Sequence, residues 1–113
     1  HALVGEVFHP ALPSCPGHDH WKRDFTGSTS VFSFTFKDHI PAEDVVSFIN
    51  ALKIFRIGMS WGGVNSLAVV YPGLDRPTQD FGGRIVRLNI GLETASDLIA
   101  DLEAAMTGVG LAR

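Results

Sequence analysis

Val31-Phe32-Ser33-Phe34-Thr35-Phe36 alternates without a break, so three phenylalanine rings at every second position line one face of an extended segment. Lys37-Asp38-His39 ends it. A helix is predicted from about Pro41 to Lys53. Proline suits a first helical position, and Glu43 and Asp44 complement the helix dipole in the first turn. Val45, Phe48, Ile49 and Leu52 recur at helical spacing on one stripe.

Outward from this unit, Phe55-Arg56-Ile57-Gly58 reads as a short strand, and Ser60-Trp61-Gly62-Gly63 is too rich in glycine for a regular element. Ser66 to Tyr71 is a further strand, and Pro72 to Gly83 is a polar loop. Arg84 to Asn89 and Ile90 alternate again, with Ile85, Arg87 and Asn89 on one face and Val86, Leu88 and Ile90 on the other. A last helix runs from about Thr94 to Met106. Thr94 with Asp97 resembles a capping box, Leu98, Ile99, Leu102 and Ala105 form the stripe expected to be buried, and Gly108 is a stop. Upstream, Leu3-Val4 and Val7-Phe8 mark a strand within residues 1–9. Pro10, Pro13 and Pro16 punctuate an extended connection. Gly17 to Asp24 is a short helical turn with Trp21 and Phe25 on one side, and residues 27–30 are a loop. The short connections late in the chain predict antiparallel pairing. The expected architecture is α+β: a two-layer sandwich, mainly antiparallel, with its helices on one face of the sheet.

The bulk properties fit one domain over residues 1–113. The chain is 45% hydrophobic and 19% charged, with mean hydropathy +0.17, which is too apolar for a disordered segment. Nine Lys and Arg against twelve Asp and Glu give a net charge of -3 and no basic excess, which disfavours nucleic acid as a partner. No apolar run approaches about 18 residues, so no membrane-spanning helix is expected. The chain opens without a basic start before an apolar stretch, as a signal peptide would have, and without an initiator methionine, as a piece of a longer protein would. A single cysteine, Cys15, excludes an internal disulfide and fits a reducing compartment, hence a cytoplasmic location.

Few residues offer chemistry. Arg87 sits mid-strand with no acid beside it on its own face, and a guanidinium is a planar fork matched to a carboxylate or phosphate. Against ligand binding stand two ordinary roles: a solvated face of an edge strand, or an ion pair with an acid such as Glu93. The glycines of 60–63 permit close backbone approach to a ligand, with Trp61 as a platform beside it; a tight bend with Trp61 filling the core is the alternative. His18-Asp19-His20, with His9 upstream, lacks the spacing of a structural zinc site. Cys15 lies in a proline-rich connection with no evident activating base. The run from Gly58 to Gly63 lacks the Lys-Ser/Thr of a phosphate-binding loop.

Three stretches together resemble the cystathionine synthase/lyase group of pyridoxal-phosphate enzymes, and within it the bacterial cystathionine β-lyases. The first is His9-Pro10-Ala11-Leu12-Pro13 with Gly17-His18 and Trp21-Lys22-Arg23-Asp24-Phe25-Thr26-Gly27. The second is Ser60-Trp61-Gly62-Gly63 with Ser66-Leu67. The third is Arg87-Leu88-Asn89-Ile90-Gly91-Leu92-Glu93 running into Asp97-Leu98-Ile99-Ala100-Asp101-Leu102. They stand in the family's order and at its spacing over nearly the whole chain.

The resemblance implies the C-terminal small domain of an aspartate-aminotransferase-like enzyme, detached from a large domain that binds pyridoxal phosphate. It implies that Arg87 clamps the substrate α-carboxylate and that Ser60 and Trp61 line the same pocket. The implied reaction cleaves cystathionine to homocysteine, pyruvate and ammonia, a step of methionine biosynthesis, in an enzyme that assembles as a homotetramer. The Schiff-base lysine of the family follows Ser and Thr; Lys22, Lys37 and Lys53 have no such context, so no cofactor-binding or catalytic residue is expected in this chain. The 113 residues alone are expected to be inactive, with an apolar patch around Trp61 where the large domain docks. Met59 stands where β-lyases often have tyrosine, and Val64-Asn65 where they often have an aromatic residue and a glutamate. These departures flank the pocket and leave γ-lyase, γ-synthase or a broader carbon–sulfur lyase open. A free-standing, non-catalytic binding module is the remaining alternative.

Overall fold

The computed structural model describes residues 1–71 and 81–109. Most of the polar loop expected from Pro72 to Gly83 lies outside the described residues. The elements in chain order are β1 (Val4–Phe8), α1 (His18–Asp24), β2 (Val31–Phe36), α2 (Ala42–Ala51), β3 (Arg56–Ile57), β4 (Leu67–Tyr71), β5 (Ile85–Asn89) and α3 (Ala95–Thr107). The strands form one sheet in the order β1-β2-β5-β4-β3. The class is α+β, as expected.

Register turns the alternation into two faces. In the antiparallel pair β2–β5, Phe34 stands opposite Val86 and Phe32 opposite Leu88, while Ser33 stands opposite Arg87 and Val31 opposite Asn89. Across β5, Ala68 faces Leu88 and Val70 faces Val86, while Val69 faces Arg87 and Tyr71 faces Ile85. One face is therefore Phe32, Phe34, Phe36, Val86, Leu88, Ala68 and Val70. It meets Val45, Phe48 and Ile49 of α2 and Leu98, Ala105 and Met106 of α3 in a single core. Phe48 sits edge-on to both Phe34 and Phe36, at ring-centroid distances of 6.1 and 5.2 Å. No helix of the core covers the other face.

Three expectations need correction. The two-residue β3 pairs with β4 in parallel, Arg56 beside Leu67, although the two are consecutive in the chain. Short connections favour antiparallel neighbours because a parallel return must travel back the full strand length. A two-residue strand shortens that return to roughly 7 Å, which residues 58–66 span without a helix. The capping box does not form: Thr94 is the N-cap but makes no side-chain capping bond, and the Asp97 N–H goes to the Thr94 carbonyl at 3.0 Å. Ile99, assigned to the buried stripe of α3, is 55% exposed, and Asp101 is buried in its stead. The short helical turn expected from Gly17 to Asp24 is present as α1; it has no buried residue, and Phe25 after it is exposed.

Asp101 explains the roll of α3. Its carboxylate accepts the backbone N–H groups of Lys53, Ile54 and Phe55 at 2.9, 2.8 and 3.1 Å. Those donors lie in the turn between α2 and β3, where no ladder can satisfy them, and a buried donor without an acceptor is costly. One carboxylate thereby joins the end of α2, the start of β3 and the middle of α3.

Candidate functional site

The second face of the sheet carries the polar residues. Arg87 belongs to β5, the central strand of five, so it is not on an edge strand. Nor does it pair with Glu93. The Glu93 carboxylate accepts the Ser66 backbone N–H at 3.0 Å and the Ser66 hydroxyl at 2.7 Å. These two bonds, the backbone one first, hold the Glu93 carboxyl below its ordinary value. Among the described residues no carboxylate forms an ion pair with Arg87. Its guanidinium donates to the Met59 carbonyl. The guanidinium carbon lies 5.6 Å from the centre of the Trp61 ring and 5.9 Å from that of Tyr71, within cation–π range of both.

The glycine segment supplies the second wall. Trp61 is 66% exposed, so it does not fill the core. Gly62 turns with φ of 78°, a left-handed conformation that suits glycine. Arg87, Trp61, Gly62, Thr29, Ser30 and Val31 enclose an open cavity of about 520 Å³. Arg87 and Trp61 thus come together. Ser60 does not join them: it is exposed and lies outside the lining of that cavity. Ile57, Met59, Val64 and Leu92 are exposed on and beside the same segment.

Two residues that sequence reasoning passed over fix this segment. Asn89 shares the face of Arg87, is 1% exposed, and accepts the Gly62 N–H at 3.0 Å through its side-chain oxygen. Gly91 lies against the return of the segment: a Cβ there would stand 2.3 Å from the Val64 carbonyl oxygen and 2.7 Å from the Asn65 carbonyl carbon. The backbone N–H of Leu92 bonds the Val64 carbonyl at 2.9 Å, and that of Gly91 bonds the Ser66 hydroxyl at the same distance. A polar residue on the arginine's own strand face and a glycine just past the strand end were the available signals.

The other candidates serve local structure. His18 Nδ1 lies 2.7 Å from the Pro10 carbonyl, and its ring tilts against Trp21, whose indole N–H donates to the Gly27 carbonyl at 2.9 Å. The Cys15 sulfur lies 3.6 Å from the Pro16 carbonyl. Among the described residues no three His, Cys, Asp or Glu side chains are grouped to hold a metal ion, and no helix is long and apolar enough to cross a membrane.

Comparison with known proteins adds three findings. The sequence model of the Cys/Met metabolism PLP-dependent enzymes matches residues 1–107. Cystathionine beta-lyase MetC of Escherichia coli is 42% identical over 96% of this chain, and L-alanine/L-glutamate racemase of Wolbachia pipientis is 38% identical over 94%. The chain spans 29% and 27% of the lengths of those two relatives. Among solved structures, the cystathionine gamma synthase of Xanthomonas oryzae in complex with aminoacrylate and cysteine superimposes with a TM-score of 0.80 at 30% identity, over 95% of this chain and 29% of that one.

Proposed function

The chain belongs to the Cys/Met-metabolism PLP-dependent enzymes, and from that premise we propose that it is the substrate-carboxylate-binding, C-terminal domain of a carbon–sulfur lyase, the β-lyase reaction being favoured. The observation that carries this is Arg87: a guanidinium on the uncovered face, oriented by the Met59 carbonyl, Trp61 and Tyr71, with no carboxylate partner among the described residues. A planar fork with no acid paired to it among the described residues, set against an open cavity, is suited to an α-carboxylate from outside. Held there, the amino acid has its Cα–H bond oriented, which is the positional part of catalysis. Cystathionine and water would yield homocysteine, pyruvate and ammonia.

The described residues do not fit the family's cofactor. Lys22, Lys37 and Lys53 are exposed, and none lines the Arg87 cavity. Pyridoxal phosphate and its Schiff-base lysine are therefore assigned to a large domain of the intact enzyme. That domain would also cover the exposed segment from Ile57 to Val64, within a homotetramer in the cytoplasm. The small-domain place in an aspartate-aminotransferase-like architecture is part of the same proposal.

A second reading has a specific support: the racemase that is 38% identical over 94% of the chain. An α-carboxylate clamp serves racemisation as well as elimination, and Met59 and Val64-Asn65 depart from the usual β-lyase pattern beside the cavity. The test uses the full-length protein that carries these residues, with cystathionine and with L-alanine and L-glutamate. The proposal expects pyruvate and homocysteine from cystathionine, and Arg87→Ala lowering kcat/KM about 100-fold or more. Racemised amino acid without pyruvate would replace the lyase reading; unchanged kcat/KM in Arg87→Ala would remove the clamp.

A further inference from the structure

Arg87 is one wall of the cavity; a second wall is a segment with little to hold it. Residues 59–65 are all exposed, and among the described residues no heavy atom stands near enough to meet a Cβ added at Gly62 or Gly63. The segment is tied at its return by the Leu92–Val64 backbone bond and at its entry by the bond from Arg87 to the Met59 carbonyl. Between those ties, where Trp61 and Gly62 line the cavity with Arg87, the Asn89 side chain reaches out from the sheet to Gly62.

We propose that Asn89 is the positioning residue of the carboxylate site, holding the Trp61–Gly62 wall at its distance from Arg87. Its side-chain oxygen accepts two donors, the Gly62 N–H at 3.0 Å and the Ser30 hydroxyl at 3.2 Å. Both donors belong to residues that line the Arg87 cavity, from two different loops. Its side-chain nitrogen reaches toward the Asn65 carbonyl at 3.5 Å. Arg87 and Asn89 are two residues apart on one strand, so both point from the same face. Asn89 is 1% exposed, so the acceptor end of both bonds is buried, and losing it takes from both loops their shared anchor on the sheet. Trp61 would then leave the guanidinium, and the fork would meet the carboxylate unsupported. An amide suits the position better than an acid: it offers the acceptor without a charge that would draw the Arg87 fork away from the substrate.

The inference rests on the carboxylate reading of Arg87, and the experiment separates the two. In the full-length protein, KM and kcat for cystathionine and the hydrogen exchange of the Gly62 amide are measured for Asn89→Ala, Asn89→Asp, Ser30→Ala and Arg87→Ala. Asn89→Ala is expected to raise KM about tenfold with kcat within about twofold, and to speed Gly62 exchange about tenfold or more. Asn89→Asp keeps the acceptor, so it restores Gly62 protection while KM stays raised by its charge. Ser30→Ala removes one donor from the pair and raises KM about threefold, which keeps the idea testable should Asn89→Ala fail to fold. If Arg87→Ala cripples the enzyme while Asn89→Ala or Ser30→Ala leaves KM unchanged, the positioning role is overturned and the clamp stands. If Arg87→Ala leaves KM unchanged, the clamp falls and the positioning role with it.

Discussion

The two faces of the sheet are built from alternate residues of the same strands, yet they do different work. On the covered face, Phe34, Phe36, Val86, Leu88 and Ala68 lie at 4% exposure or less against α2 and α3. Nothing there is polar, and close packing sets the cost of any change. On the other face Arg87 stands between Ser33 and Val69, with Asn89 and Tyr71 near, and a glycine segment leans over it. Its side chains hydrogen-bond to loops rather than pack against helices. A strand period of two thus lets one stretch, Ile85 to Asn89, hold the fold with one set of side chains and the site with the other.

The sharpest way to break this division is to truncate one residue on each side of it. Phe48→Ala empties a fully buried ring position against Phe34 and Phe36, and is expected to cost about 4 kcal/mol of unfolding free energy in a urea titration. Arg87→Ala, in the same titration, is expected to stay within about 0.5 kcal/mol of the wild type. Similar losses from the two would show that the second face also carries the fold.

Gly91→Ala tests the seam where the site's segment meets the sheet. Its Cβ would fall inside contact distance of the Val64 and Asn65 backbone, which cannot swing aside as a side chain can. About 3 kcal/mol of destabilisation is expected by thermal or urea unfolding, with faster exchange at the Leu92 amide. Asp101→Asn is smaller: the amide keeps one acceptor of the two oxygens that serve Lys53, Ile54 and Phe55, and about 2 kcal/mol is expected to go.

The smallest effect is a pH dependence. The folded Glu93 carboxyl titrates below its ordinary value of 4.5 because Ser66 donates twice to its ionised form. The unfolded chain therefore takes up that proton first as pH falls. The contribution is present in full above pH 4.5 and is lost as pH drops through the lower folded value. Glu93→Gln is expected to flatten the urea midpoint across that acidic window and leave it unchanged at pH 7 and above in slope. A wild-type profile that the substitution does not alter would remove the Ser66–Glu93 clip from the account.

Much of this was readable from residue order. The alternation of residues 31–36 and 85–90 announced both faces correctly, including Arg87 and Asn89 on the same side, because period two needs no knowledge of tertiary partners. Helix faces were less legible. Ile99 suits an apolar stripe and Asp101 a solvated one, but three backbone donors in the turn at 53–55 outweigh one isoleucine and roll the helix toward the acid. The parallel pairing of β3 was hidden because its return path depends on a strand only two residues long. For the candidate site, the motif led to Arg87 and Trp61, which the structure brings to one cavity, and to Ser60, which is not among that cavity's lining residues. The strand face of Asn89 was legible but its bonding partners were not, since its donors sit 27 and 59 residues away in the chain.

The central claim is that Arg87 reads an α-carboxylate, and one measurement addresses it directly. In the full-length protein, kcat/KM for cystathionine is compared with that for its analogue carrying a carboxamide in place of the α-carboxylate at the reacting end, in wild type and in Arg87→Ala. The account predicts a wild-type preference for the carboxylate of about 100-fold or more that collapses to near unity in Arg87→Ala. A preference that survives the substitution unchanged would contradict it.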